Sequence, residues 1–255
     1  QLYLKGRHAV GTFTPEGWRS GLAYLQQAIA RDPHYALAHL GLAYYYWGAQ
    51  DGWLAGNECL PRERESAEKA LELDPSLAEA HAYLGSVHWY YDRDYAAARR
   101  ELHTALAMQP DLAFAHEQIG WYLVAVGQVD EGLAASRRAV ELDPLSPETN
   151  TMLGTNLYMA RRYDEAIAQL RATIASNPDY WFAHLWLGRA YARTNRLPEA
   201  IATLRNAHQR GEGAEGSEIE AALGRAYADA GNRTEAGKIL DHMRERSRTA
   251  FVSAA

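Results

Sequence analysis

The stretch that decides the fold is residues 147–180, which read PETNTMLGTNLYMARRYDEAIAQLRATIASNPDY. Leu153-Gly154 stands in its first half and Asn177-Pro178 near its end. Proline has no amide hydrogen and disfavours helix in the residue before it, so Asn177-Pro178 predicts the end of a helix. Gly154 lacks a side chain and predicts a point where two helices approach closely. The stretch therefore predicts two helices packed against each other.

The same landmarks recur along the chain. Prolines separated by 42, 35, 34 and 34 residues are Pro33, Pro75, Pro110, Pro144 and Pro178. An apolar residue followed by a small one comes after each proline, and a sixth pair continues the series: Leu42-Ala43, Leu84-Gly85, Ile119-Gly120, Leu153-Gly154, Leu187-Gly188 and Leu223-Gly224. A recurring unit of two helices, neither of which buries its apolar stripe alone, must stack on its neighbours.

The period and its landmarks resemble those of the tetratricopeptide-repeat family along nearly the whole chain. The resemblance implies an all-α fold, a right-handed α-solenoid of about seven helix-turn-helix repeats in a single array over 1–255. The predicted units are 1–35, 36–77, 78–112, 113–146, 147–180, 181–214 and 215–246. We expect 247–255 to be the truncated start of a further unit.

Composition limits the classes of partner. The 26 basic residues are outnumbered by 32 acidic ones, so the net charge is −6. A protein with this net negative charge does not attract nucleic acid or an anionic membrane electrostatically. We therefore expect neither nucleic-acid binding by this module nor direct membrane insertion. The chain begins at Gln1 rather than Met, and we expect it to be part of a longer protein. Its localisation is expected to be cytoplasmic, or periplasmic if a transmembrane span precedes it.

An excess of aromatic residues, with 16 Tyr and 7 Trp against 4 Phe, predicts a binding groove. The first helices of such repeats line a concave face. On each of these helices, side chains at i, i+3, i+4 spacing form a stripe that does not pack inward and therefore lines the groove. The candidate groove residues are Tyr44, Trp47, Trp89, Tyr90, Phe114, Trp121, Tyr158, Arg189, Arg193 and Arg225. Trp, Tyr and Arg most often anchor interfaces. We expect an extended peptide with apolar side chains, its acidic part near the arginines. Alternatively, several of the aromatic residues pack against the next unit's first helix.

Histidines recur at the same position of four repeats, which are His39, His81, His116 and His184, and Asn150 takes this position in the unit 147–180. Residues one repeat apart form a ladder rather than a tetrahedral metal cluster. The sequence therefore predicts structural histidines between helices, with no metal site and no cofactor. Nothing in it supplies a paired general acid and base, which predicts no catalytic residue and no enzyme.

An insertion distinguishes the unit at 36–77. It is eight residues longer than the 34-residue period, and the extra residues fall within 49–60, which include Trp53, Leu54, Cys59 and Leu60. Long loops in compact repeats are often functional. The insertion is therefore either a lid over the aromatic half of the groove or a loop pinned to the outer edge by Trp53.

Three stretches, residues 92–102, 160–170 and 184–191, resemble a bacterial group within the family. In that group, C-terminal repeat arrays are fused to winged-helix transcription regulators, adenylate cyclases or Ser/Thr kinases. The resemblance implies a protein-interaction or scaffold module within a larger regulatory protein. Two alternatives stay open: a sensory domain binding a small molecule on the same groove, or a structural self-assembly array with a homodimer through its C-terminal end.

Overall fold

A computed structural model describes residues 1–12, 14–49, 56–211 and 217–252. Most of these residues are helical and none of them forms a strand, which confirms the predicted all-α class. The chain forms two compact units, Gln1–Pro144 and Leu145–Ala255, which we call unit 1 and unit 2.

Unit 1 consists of consecutive helical hairpins. Its helices are α1 (Leu2–Val10), α2 (Pro15–Arg31), α3 (Ala36–Ala49), α4 (Gly56–Leu73), α5 (Ala78–Val87), α6 (Tyr95–Met108), α7 (Ala113–Ala125) and α8 (Val129–Leu142). Each odd-numbered helix pairs with the even-numbered helix that follows it, and α1, α3, α5 and α7 also pack on one another in succession. We call these odd-numbered helices the first helices. They form one face of the unit.

Unit 2 repeats this arrangement. Its helices are α9 (Pro147–Met159), α10 (Tyr163–Ser176), α11 (Trp181–Arg193), α12 (Leu197–Arg210), α13 (Ser217–Asp229) and α14 (Arg233–Val252). The first helix α11 packs against both α9 and α13. Helix α14 runs unbroken through residues 247–252, where the sequence predicted the start of a further unit.

Glycines set how closely the helices of a hairpin approach. A Cβ atom added at Gly154 would lie 2.6 Å from Cγ of Leu170, and one at Gly188 would lie 2.5 Å from Cγ of Leu204. Real Cβ atoms essentially never come within 3.0 Å of a non-bonded heavy atom. At Gly154 and Gly188 the predicted close approach is confirmed, and a leucine of the second helix fills the space above each of these two glycines.

The turns inside the hairpins use left-handed backbone. Gly127, Gly231 and Asn195 have φ of 88°, 77° and 60°, as their residue types favour. Arg93 and Arg161 adopt the same conformation, with φ of 59° and 61°. Their residue type gives no signal for it, because a left-handed arginine pays a steric cost that only the surrounding structure compensates.

The insertion in the unit at 36–77 falls partly outside the described residues. Residues 50–55, which include Trp53 and Leu54, are outside the described residues. The choice between a lid and a loop pinned by Trp53 therefore also lies outside them. The rest of the insertion belongs to α4, in which Cys59 and Leu60 are buried. In the described part of the chain, no helix is both long enough and apolar enough to cross a membrane.

Candidate functional site

The first helices of unit 1 carry two groups of aromatic rings. In the first group, Trp47 and Tyr83 both contact Phe114, with ring centroids 5.0 and 4.5 Å apart. Tyr44 stacks on Trp47 at 6.4 Å and 17°. Offset and edge-to-face contacts at these distances stabilise aromatic pairs. Helices α3, α5 and α7 are therefore joined by one aromatic group, in which Tyr44 and Phe114 keep part of their surface in solvent.

The second group lies where α5 continues into a π-helical turn, His88–Asp92. Trp89 meets Trp121 edge-to-face at 4.9 Å and Tyr90 at 5.4 Å. Tyr90 and Trp121 are themselves 5.6 Å apart. Trp89 is buried, Trp121 is half-buried and Tyr90 is 40% exposed. The buried indole thus supports two rings that solvent reaches.

Two candidate groove residues are buried rather than surface-lining. Trp47 is 5% exposed and Trp89 is 6% exposed. Their positions in the repeat put them on the predicted face, but Phe114 and Trp121 of α7 cover them. Trp47 also contacts Tyr83 of α5, the next first helix, with ring centroids 6.5 Å apart. We call the remaining four rings, Tyr44, Tyr90, Phe114 and Trp121, the unit 1 aromatic surface.

A polar network borders this surface. The guanidinium of Arg7 lies 4.3 Å from the ring centroid of Tyr44, and its Nη1 donates to Oε1 of Glu79 at 2.8 Å. The hydroxyl of Tyr83 donates to the same oxygen at 2.9 Å. Burial raises the pKa of Tyr83 well above its usual value, so the hydroxyl keeps its proton. Sequence analysis missed Arg7 because it pairs with a residue 72 positions away.

Glu63 of α4 is a fully buried carboxyl group. The hydroxyl of Ser86 donates to its Oε1 at 3.2 Å, and Oε2 has no hydrogen-bond partner among the described residues. Burial raises the pKa of Glu63 well above its usual value, although the Ser86 hydrogen bond lowers it. The burial effect outweighs the hydrogen bond, which favours the protonated acid.

In unit 2, an arginine is stacked on a tryptophan. The guanidinium of Arg189 lies 4.5 Å from the ring centroid of Trp186, and Nη2 donates to Oε2 of Glu218 at 3.1 Å. The Trp186 ring is held edge-on by Tyr158 at 5.3 Å and by Phe182 at 6.1 Å. Of these residues, the candidate groove included Tyr158 and Arg189. Trp186 was missed because its position in the repeat lies beside the stripe rather than on it.

The other two candidate arginines have different surroundings. Arg193, one turn after Arg189, donates from Nε to the hydroxyl of Tyr163 at 3.3 Å, and this hydrogen bond raises the pKa of the guanidinium. Arg225 pairs with Asp229 on its own helix at 2.9 Å. The structure therefore brings Arg189 and Arg193 together with aromatic rings, whereas Arg225 has its own carboxylate partner.

The recurring histidines make hydrogen bonds within the repeat structure. The Nε2 atoms of His39, His116 and His184 lie 3.0, 2.8 and 2.8 Å from proline carbonyl oxygens six residues earlier. His81 instead has Nδ1 2.7 Å from Oε2 of Glu101. Within the described ranges, no group of three or more His, Cys, Asp or Glu side chains could hold a metal ion.

A cavity of about 790 Å³ in unit 1 lies away from the aromatic surface. It is bordered by the second helices α2 and α4 together with part of α3. Its rim carries Arg62, Glu65, Glu68 and Lys69, so charges of both signs surround it.

Comparison with known proteins identifies the repeat. The model of the tetratricopeptide-repeat family matches residues 16–52 and 151–215. These two stretches are tetratricopeptide repeats. Tetratricopeptide repeats form protein–protein interaction scaffolds that bind proteins or peptides and are generally non-enzymatic.

Solved structures of similar fold include tetratricopeptide-repeat proteins. A thermophilic one from Thermus thermophilus is 18% identical, with a TM-score of 0.59, over 75% of this chain and all of its own. PilW, a type IV pilus biogenesis factor, is 20% identical with a TM-score of 0.63, over 82% of this chain and 92% of its own. At these identities the similarity establishes the fold alone.

A curated relative of this chain is the transcriptional regulator HilA of Salmonella typhimurium. The two are 28% identical over 144 residues, which make up 56% of this chain. The matched part spans 26% of the length of HilA, so most of that regulator lies outside the similarity.

Proposed function

We propose that this chain is an interaction module that binds an extended peptide on the face formed by its first helices. The observation that carries the proposal is the pair of solvent-accessible rings, Tyr90 and Trp121, supported by the buried indole of Trp89. Rings fixed in this way lose little conformational entropy on binding, and large aromatic side chains are typical anchors of interfaces.

In unit 1, the proposed contact surface is apolar. Tyr44 and Phe114 extend it from the π-helical turn along α3 and α7, and Arg7 and Glu79 give it a polar border. This combination of an aromatic centre with a polar edge is typical of specific interfaces. It suits a peptide segment with apolar side chains.

In unit 2, the proposed contacts are polar as well as aromatic. Tyr158, Arg189 and Arg193 lie on α9 and α11, and Arg225 lies further along α13. Guanidinium groups bind carboxylates in a fixed geometry. We therefore assign an acidic peptide segment to unit 2. This division follows from the chemistry of each surface taken by itself.

We further propose that the module serves a larger regulatory protein and has no catalytic role of its own. The similarity to part of the transcriptional regulator HilA supports the first point. The second is supported by the sequence, which offers no paired general acid and base. Homodimer formation through the C-terminal end stays a prediction; Leu240 of α14 is 48% exposed.

A peptide-display selection tests the proposal. Random peptides are selected on the immobilised protein, and each enriched peptide is measured against a Tyr90→Ser, Trp121→Ser double variant. The control variant is Tyr24→Ser, which removes a partly buried ring from the second helix α2. We expect the enriched peptides to bind the wild type and the control but not the double variant. Enrichment of peptides that bind all three proteins equally would contradict the proposed surface.

A further inference from the structure

Arg189 is held in a position that suits it to bind an anion. Its guanidinium stacks on Trp186, and that ring is itself fixed by edge contacts from Tyr158 and Phe182. Stacking on an aromatic face fixes the plane of a guanidinium and leaves its N–H groups directed outward at the edge. An oxyanion that approaches this edge meets donors that need no rearrangement.

A carboxylate already occupies part of this edge. Glu218 of α13 accepts from Arg189 Nη2 at 3.1 Å, yet 67% of the glutamate side chain is exposed against 23% of the arginine side chain. Exposed ion pairs of this kind contribute at most about 1 kcal/mol, because solvent screens them and the side chains lose freedom. Glu218 is therefore weakly held and can be exchanged for another carboxylate.

In unit 1, an arginine also stacks on an aromatic ring and pairs with a glutamate, but this ion pair is more buried. Arg7 stacks on Tyr44 and pairs with Glu79 at 2.8 Å, and the two charged side chains are only 28% and 22% exposed. Glu79 also accepts from the Tyr83 hydroxyl. Glu218 has neither this burial nor a second donor among the described contacts. Of the two pairs, only the one in unit 2 is open to exchange.

A second positive charge lies one helical turn from the first. Arg193 is exposed on the same helix, four residues after Arg189, and residues at this spacing are neighbours on a helix surface. Its Nε donates to the Tyr163 hydroxyl at 3.3 Å. The two guanidinium groups together favour a ligand with more than one negative charge.

We propose that Trp186, Arg189 and Arg193 form a carboxylate-binding site for an acidic peptide segment, and that Glu218 occupies this site when the peptide is absent. The ligand group is a carboxylate because Glu218 shows that a carboxylate fits the guanidinium edge. The proposal deepens the proposed function by naming the ligand chemistry and a built-in competitor. It rests on peptide binding in unit 2 but not on the unit 1 aromatic surface.

The test uses the peptide acetyl-Glu-Leu-Glu-Leu-Glu-amide and its counterpart with Gln in place of Glu. Binding is followed by the NMR shift of the Trp186 indole N–H, which a Trp186→Phe variant assigns. We expect saturable shifts with the Glu peptide only. Arg189→Gln should weaken its Kd at least about tenfold, whereas Glu218→Gln should tighten it about threefold or more, because the internal competitor is removed.

Matched controls come from a second arginine–glutamate pair in the same unit. Arg196 stacks on Tyr191 at 4.4 Å and pairs with Glu199 at 2.9 Å, at the start of α12. Arg196→Gln and Glu199→Gln change the net charge as the test variants do, and we expect the Kd to stay within about twofold of wild type.

Several outcomes would overturn the proposal. If Glu199→Gln tightened binding as much as Glu218→Gln, the effect would come from net charge and not from an occupied site. Absence of a shift in the wild type and in Glu218→Gln would also reject it, as would inorganic phosphate that binds more tightly than the peptide. A Tyr90→Ser, Trp121→Ser variant should leave this Kd unchanged, so failure here is distinguishable from failure of the proposed unit 1 surface.

Discussion

The Nε2 atom of His184 lies 2.8 Å from the carbonyl oxygen of Pro178, six residues earlier in the chain. A carbonyl oxygen can only accept, so Nε2 is the protonated nitrogen of the ring. The bond ties the first turn of α11 to the loop that precedes it. His39 and His116 make the same contact, so in three repeats this histidine ties the first helix to the loop that precedes it.

His184 should make the stability of the protein depend on pH. Burial lowers the pKa of its imidazole, although the bond to Pro178 raises it. Because the folded-state pKa lies below that of an unfolded histidine, about 6.5, the unfolded state binds more protons in acid. The free energy of unfolding from this group therefore falls as pH drops from about 6.5 through the folded-state pKa. In urea unfolding, His184→Gln should lose less stability than wild type between pH 7.5 and 5.5. The exposed His208→Gln serves as control, and parallel pH profiles for wild type and His184→Gln would refute the assignment.

Glu63 should make the free energy of unfolding depend on pH in the opposite direction. Since burial raises its pKa above that of an unfolded glutamate, its contribution to stability is full below about pH 4.3 and is lost as pH rises through the folded-state pKa. A glutamine at this position stays neutral. We expect Glu63→Gln to raise the urea midpoint at pH 8 and to raise it less at pH 5. Glu65→Gln, an exposed change on the same helix, should have no such trend. A midpoint lowered by Glu63→Gln at pH 8 would mean that the charged carboxylate is needed.

Two glycine-to-alanine changes should have effects of opposite sign. A Cβ at Gly132 in α8 would lie 2.7 Å from the carbonyl oxygen of Gly120 and 2.8 Å from the amide nitrogen of Val124. Because these are backbone atoms, Gly132→Ala should lower the free energy of unfolding by about 1–3 kcal/mol. Gly237 in α14 has no atom within 4 Å of such a Cβ, so Gly237→Ala should raise it by about 0.5–1 kcal/mol through helix propensity. Chemical denaturation measures both, and stabilisation by Gly132→Ala would show that the α7–α8 contact is looser than described.

Tryptophans of the second aromatic group should differ in their importance for folding. Trp89 is buried, and Trp89→Ala should cost about 3–5 kcal/mol of unfolding free energy. Trp121 is half-buried, and Trp121→Ala should cost about 1–2 kcal/mol. Equilibrium unfolding of the two single variants separates a supporting residue from a surface one. Equal costs would remove the distinction on which the unit 1 aromatic surface rests.

The sequence predicts the hairpins well because their signals are local. Pro178 ends a helix through its own backbone, and Gly154 allows close packing through its own missing side chain. The pairing of Arg7 with Glu79 joins helices two repeats apart and leaves no local signal. The burial of Trp89 likewise depends on which ring of α7 covers it. The repeat register therefore predicts the face on which a side chain lies, whereas burial within that face depends on tertiary contacts.

Peptide binding through the unit 1 aromatic surface can be measured by isothermal titration calorimetry of a display-selected peptide. Wild type, Tyr90→Ser/Trp121→Ser and Tyr24→Ser are compared at the same pH and salt. We predict that the double variant, folded by circular dichroism, weakens the Kd at least about tenfold, or about 1.4 kcal/mol, while Tyr24→Ser leaves it unchanged. An unchanged Kd for the double variant would contradict binding through this surface.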